Sequence, residues 1–359
     1  MIYCLMILAT IVFATIAIVY KKKENLEHNS RNKIIFFAFA FLSFLIPFSI
    51  SAFRDYTIGT DTSGTYMQIF NSIQNGKNIR DFGFGIITKL ALILSDNYTG
   101  FLVVTSLIFC GLSYKCIFRD SENPIMSILL FFTMNIFFIS MNMVRQCIAT
   151  SVFIFAIKYI KNKNLIKYII AMIIAFSIHT SAILYVPMYF IYNLKINKKM
   201  VYVILIFIIF LRLFLSDVII EILMKFSYFR NYFAWYLSSG YNTGKLNIVG
   251  LLIASCILAF LVFIYKFAND DKEYNILLWN QTIVVTLLIM SSEIPLMQRT
   301  SYLFTFPLFI YLPNMFKYIS NSKKKVASEI CINVGYLTYM FVTIFVFGYN
   351  EVYPYKWIF

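Results

Sequence analysis

Apolar residues in this chain come in long runs set off by short polar and basic segments, and the pattern repeats from one end to the other. Runs of about 18 or more apolar residues with few charges suffice to cross roughly 30 Å of hydrocarbon as helices. A helix is the form in which a backbone in lipid satisfies its own hydrogen bonds. The runs fall near residues 2–20, 34–52, 100–118, 124–141, 146–160, 165–179, 181–194, 200–216, 247–267, 275–291, 299–318 and 326–348. They predict an all-α polytopic membrane protein of about 12 transmembrane helices. One further stretch, GFGIITKLALIL at residues 83–94, is short and carries Lys89 near its middle. Counting it as a span reverses the side of every later loop and puts the lysines from Lys158 to Lys167 outside. Read as a re-entrant or interfacial helix, it removes the conflict.

In that layout Lys21, Lys22, Lys23, Lys158, Lys161, Lys163, Lys167, Lys195, Lys198, Lys199, Lys323, Lys324 and Lys325 share the cytoplasmic side with most other basic residues, as the positive-inside rule requires. Both termini fall outside. The composition fits lipid as solvent: 60% of the 359 residues are apolar, 19% aromatic and only 13% charged. The net charge of +15 lies in short clusters between apolar runs, which describes cytoplasmic loops and excludes a nucleic-acid surface. The first run has no preceding basic residue and no small-residue cleavage site, and KKK follows it, so it is read as a span. The six cysteines show no metal-like spacing and read as buried thiols. With no internal repeat and no soluble domain, residues 1–359 are expected to form one integral membrane domain, with external loops 53–99 and 217–246 contributing to a site.

The uncommon polar residues then gather at the outer membrane boundary. Arg54, Asp55 and Asp61 open the first external loop in FRDYTIGTDTSGTY; Arg145 and Gln146 stand in MNMVRQCIA, His179 in FSIHTSA, and Glu293, Gln298 and Arg299 in SSEIPLMQRTS. Each also has a plainer reading. Arg145 can snorkel to headgroups, His179 can be a hydrogen-bonded packing residue, Asp55 and Asp61 can cap turns around Gly59, and Glu293 before Pro295 can simply interrupt a helix pair. His28 and His179 lie on opposite sides, so no metal site is expected. The absence of a P-loop, a Rossmann glycine pattern and GxSxG gives no support to nucleotide use or ordinary serine hydrolysis.

Four of these segments, RDYTIGTD with Tyr66 after it, MNMVRQCIATSVF, FSIHTSA and QRTSYLF, together resemble the EpsG-like membrane proteins, grouped with Wzy-type polymerases of bacterial surface polysaccharides. The resemblance implies an enzyme of the bacterial cytoplasmic (inner) membrane that joins undecaprenyl-pyrophosphate-linked oligosaccharide repeat units into O-antigen, capsule or exopolysaccharide at the outer face. It implies lipid-linked substrates, membrane lipids, a chain-length regulator and a flippase as partners, and no cofactor. The leaving group is a pyrophosphate at headgroup level, so cations are needed there. Arginine's planar fork binds phosphate oxygens in pairs and stays charged. Arg145 and Arg299 are therefore the candidates for pyrophosphate, Asp61 the first candidate for base with His179 the second, and Arg54, Asp55, Tyr66 and Gln146 candidates for holding sugar and phosphate. The rival classes are a transporter or flippase of lipid-linked glycan, which would favour ionisable residues at mid-membrane and internal repeats, and a membrane acyltransferase using His179, which leaves the external arginines without a role.

Overall fold

A computed structural model describes residues 2–27, 29–227, 230–231, 246–294 and 296–359. The described regular structure is helical, with one isolated backbone bridge between Arg54 and Trp357. The helices are α1 Ile2–Glu27, α2 Ser30–Ala52, α3 Met67–Gln74, α4 Phe82–Leu94, α5 Tyr98–Asp120, α6 Pro124–Thr133, α7 Ile136–Asn142, α8 Val144–Lys161 and α9 Leu165–Ile178. After these come α10 Met188–Ile191, α11 Lys198–Met224, α12 Ile248–Ala268, α13 Lys272–Met290, α14 Leu296–Thr305, α15 Leu308–Met315 and α16 Ser322–Met340. His28, and residues 228–229 and 232–245 of the second expected external loop, lie outside the described residues.

The fold is that of an all-helical polytopic membrane protein. Six of the described helices, α1, α2, α5, α11, α12 and α16 with its π-helical extension, are long and apolar enough to cross a membrane, and α6 with α7 makes a seventh if that bent pair is one span. α4 has 13 residues, a rise of about 20 Å, short of the roughly 30 Å hydrocarbon thickness. α9 is also short, at 14 residues. α11 continues eight residues beyond the end expected from the sequence, to Met224.

Asparagine starts seven of these helices. The side chains of Asn29, Asn97, Asn123, Asn164, Asn197, Asn247 and Asn321 each accept a bond from an amide of the first turn, and Asp271 does the same for α13. Four orphan N–H groups at a helix start need such a partner, and a short side chain with a carbonyl supplies it where apolar sequence begins.

The chain forms two compact units: Met1–Tyr189 with Leu312–Phe316 and Asn321–Phe359, and Phe190–Tyr311 with Lys317–Ser320. The first has an aromatic interior, in which Phe101, Phe131, Phe132 and Phe137 are fully buried and Tyr185 stacks on Phe153 with centroids 4.0 Å apart. Its helix from α6 to α8 is broken twice. Asn135 takes φ 63° between α6 and α7, a left-handed conformation asparagine tolerates, and donates to Thr343 Oγ1 at 2.7 Å. Met143, at φ −94° and ψ 53°, ends α7 so that α8 begins at Val144. In the second unit, α11 buries only Val201 and exposes Ile206, Phe207 and Phe214, a surface suited to lipid. Inside that unit Tyr192 donates to Asn280 at 2.8 Å and Gln281 to the Ala254 carbonyl at 2.8 Å.

Candidate functional site

The second break decides where Arg145 stands, on the first turn of α8, two residues past Met143. Its Nη1 lies 2.6 Å from Asp81 Oδ2, its backbone N–H donates to the Tyr66 hydroxyl at 3.3 Å, and its guanidinium lies 5.8 Å from the Tyr66 ring centroid and 5.9 Å from that of Phe84. A quarter of the Arg145 side chain is exposed, while Asp81 is 7% exposed. Nε of Arg145 is buried without a partner. A guanidinium has five N–H donors; with Nη1 on Asp81, the fork retains donors for an anion. The start of α8 adds its positive dipole end at the same place.

Asp81 is the residue that sequence reasoning missed. In NIRDFGFG it reads as a polar residue before an apolar run, and the structure makes it the N-cap of α4, with its side chain turned to Arg145 instead of to the helix amides. The sequence signal was the position itself: an acid directly ahead of the segment judged re-entrant. α4 reaches α9 by close approach at Gly83, where a Cβ would clash with Ser177, lying 2.9 Å from its carbonyl carbon. This contact brings Asp81 to the end of α9 where His179 is the C-cap.

The charges of Arg145 and Asp81 both act on His179. The ring is fixed by the backbone: Ser181 N–H donates to Nδ1 at 3.1 Å, and the Ser181 hydroxyl lies 2.7 Å from the same nitrogen. An atom that accepts from an amide carries no proton, so the neutral ring holds its proton on Nε2. In this state His179 presents a donor, not a base.

Loop 53–62 packs over the α7–α8 break. Asn142 Oδ1 accepts from Thr60 Oγ1 at 2.6 Å and from the Asp61 amide at 2.8 Å, and Thr62 Oγ1 donates to the Met141 carbonyl at 3.1 Å. Gly59 has φ +97°, and a Cβ there would lie 2.7 Å from the same carbonyl. A single turn of π-helix, Thr62–Tyr66, then carries the chain from half-buried Asp61 to buried Tyr66, whose amide donates to the Asp61 carbonyl at 3.0 Å. Asp61, Tyr66, Asn142, Asp81, Arg145 and His179 thus belong to one linked set.

The remaining expected site residues are placed differently. Arg54 is 1% exposed. Its guanidinium donates to the Ser51 carbonyl and hydroxyl and, at 3.3 Å, to the Met141 carbonyl. It borders a space of about 10 Å³ where Ser51, Thr105, Ser106 and Ser140 meet Phe109, Val144 and Ile148, room for about one water. Asp55 Oδ1 accepts from Thr57 N at 2.9 Å and Thr57 Oγ1 at 2.6 Å, an Asx turn. Gln146 is half-buried beside Arg145 on α8. Arg299, on α14, belongs to the second unit and is half-buried; its neighbour Gln298 donates to the Tyr302 hydroxyl at 3.2 Å. In that unit Arg212, within α11, lies 3.4 Å from Glu293. Among the described residues no group of three or more His, Cys, Asp or Glu side chains is arranged to hold a metal ion.

Compared with known proteins, residues 37–357 match the family described as the EpsG family, which covers nearly the whole chain. No curated protein and no solved structure matches it.

Proposed function

The chain belongs to the EpsG family, whose members are Wzy-type polysaccharide polymerases, and from that membership we propose that it joins oligosaccharide units carried on a polyprenyl pyrophosphate, at the outer face of the cytoplasmic membrane. The observation that carries the proposal is Arg145, a guanidinium about a quarter exposed and anchored at Nη1 by the buried Asp81 carboxylate.

In the proposed reaction an acceptor sugar hydroxyl attacks the anomeric carbon of the donor. The bond from that carbon to the pyrophosphate oxygen breaks, and the polyprenyl pyrophosphate leaves. Arg145 stabilises the charge growing on the leaving oxygens, as a preorganised donor does. His179 donates through Nε2–H to the same phosphate. The acceptor proton goes to Asp61, whose backbone is clamped by Asn142 and which therefore holds its carboxylate on a fixed turn. Tyr66, buried against Arg145, supports the start of α8 through its hydroxyl. Arg299 keeps the phosphate-binding role its sequence position suggests, to be tested by its own alanine variant.

Surface glycan from a deletion strain complemented with Arg145→Ala tests this reading. Single-repeat glycan with normal protein levels is expected, a loss of about 2.7 to 4 kcal/mol in transition-state stabilisation by analogy with removing one oxyanion donor. Arg145→Lys recovers little polymer, since a point charge does not reproduce paired hydrogen bonds. Normal long chains from the alanine variant would refute the mechanism, and loss of all surface glycan on deletion would point to a flippase.

A further inference from the structure

At the end of α8 away from Arg145, three cations surround one aromatic ring. Lys158 Nζ lies 3.9 Å from the Phe155 centroid, Arg119 Cζ 4.7 Å and Lys115 Nζ 5.2 Å. Lys158 also lies 4.8 Å from the Tyr159 centroid. Arg119 pairs with Asp120. Among the described residues no ion pair joins Lys115, Lys158 or Lys167 to a carboxylate. Like charges grouped this closely repel, and an aromatic face offsets only part of that.

An apolar groove of about 280 Å³ opens directly from this cluster. Lys167, Tyr159 and Phe155 form its charged end, and Val152, Ile170 and Ile174 continue it along α8 and α9. Lysine stems can lie along such a wall while the ammonium groups stay at the headgroup level. The two halves of the site ask for the two halves of one molecule, a phosphate among the cations and a hydrocarbon chain in the groove.

We propose that this groove binds an anionic diacyl phospholipid, its phosphate held by Lys115, Lys158 and Lys167 and one acyl chain lying against Val152 and Ile170. A zwitterionic lipid is disfavoured because its ammonium would enter a cluster whose cations outnumber its carboxylate, Asp120, which is already engaged by Arg119. A soluble anion would leave the apolar half empty. The proposal concerns the opposite end of α8 from the polymerisation site and stands or falls independently of that reaction.

Full-length protein in detergent, given equal amounts of phosphatidylglycerol and phosphatidylcholine, tests it by native mass spectrometry. Wild type retains phosphatidylglycerol preferentially; Lys115→Gln, Lys158→Gln and Lys167→Gln each lower that preference about fivefold, as expected for one basic residue near an anionic lipid. Ile170→Trp places a ring in the groove from a position already half open to lipid, so the fold tolerates it, and retention falls with every lysine in place. Equal retention of both lipids by wild type overturns the proposal. So does a preference that survives the lysine variants, retention unchanged by Ile170→Trp, or displacement of phosphatidylglycerol by an equal amount of polyprenyl phosphate.

Discussion

At the scale of single residues, the two groups that sequence left as rivals for the base are separated by one hydrogen bond. Because Ser181 N–H occupies Nδ1 of His179, the ring is set as an Nε2–H donor, and a replacement that can still donate should keep part of its role. His179→Gln is expected to retain more polymer than His179→Ala, measured as chain length on gels; equal loss in both would restore the base reading. Asp81 can be tested through stability as well as activity. Asp81→Ala leaves a largely buried guanidinium without its carboxylate and should cost about 3 kcal/mol, the low end for a broken buried pair because Arg145 keeps contact with solvent. Thermal unfolding of the purified variant checks this. Arg145, Asp61, Tyr66 and His179 were legible because polar residues in apolar sequence are conspicuous. Asp81 was not, since an acid before a helix already has an ordinary explanation as a cap. The burial of Arg54 was equally hidden: its partners are backbone carbonyls of Ser51 and Met141, which no side-chain pattern reveals.

At the scale of elements, the loop that carries Asp61 is held by the chain's last residues. Asp55 N–H donates to the Lys356 carbonyl at 2.9 Å, Ile358 N–H to that of Phe53 at 3.0 Å, and Gly59 N–H to that of Glu351 at 3.2 Å. Asn142 reaches Asn350 at 3.2 Å, so the two clamps on the loop meet. Deleting residues 356–359 should speed amide exchange at Asp55 while leaving Gly59 protected through Glu351; unchanged protection at Asp55 would mean the pairing does not hold the loop. A second prediction concerns α13. Burial alone would raise the Asp271 pKa, but bonds from Tyr318 and Lys317, and the lysine charge, outweigh it and hold it below its ordinary value. A carboxyl lowered in the folded state adds stability that is present above its unfolded pKa and lost as pH falls through the folded one. Thermal stability should therefore drop on acidification more in wild type than in Asp271→Asn. Helix positions were readable from apolar runs. The break at Met143 was readable too, since it falls between the runs at 124–141 and 146–160; the one at Asn135 was not, because it lies within a run apolar enough to continue a helix, and it is fixed by tertiary contact with Thr343.

At the scale of the whole molecule, sidedness follows from α8 and the lysines together. From Arg145 to Lys161 the helix climbs about 24 Å, most of a hydrocarbon thickness, so the candidate site and the basic turn between α8 and α9 belong near opposite membrane faces. Lys158, Lys161, Lys163 and Lys167 should keep that turn cytoplasmic, and Arg145, Asp81 and His179 should then lie at the outer face, the side on which the proposed reaction takes its donor. The assignment requires that α4, at 13 residues short of the hydrocarbon thickness, does not cross, since a crossing there would reverse the side of every later loop. In a variant lacking the six native cysteines, a cysteine at position 57 should react with an impermeant maleimide in intact cells. One at position 161 should react only after the membrane is opened. Labelling at 161 from outside would reverse the orientation, place the site in the cytoplasm, and remove the reason for an outer-face polymerase while leaving the local geometry around Arg145 untouched.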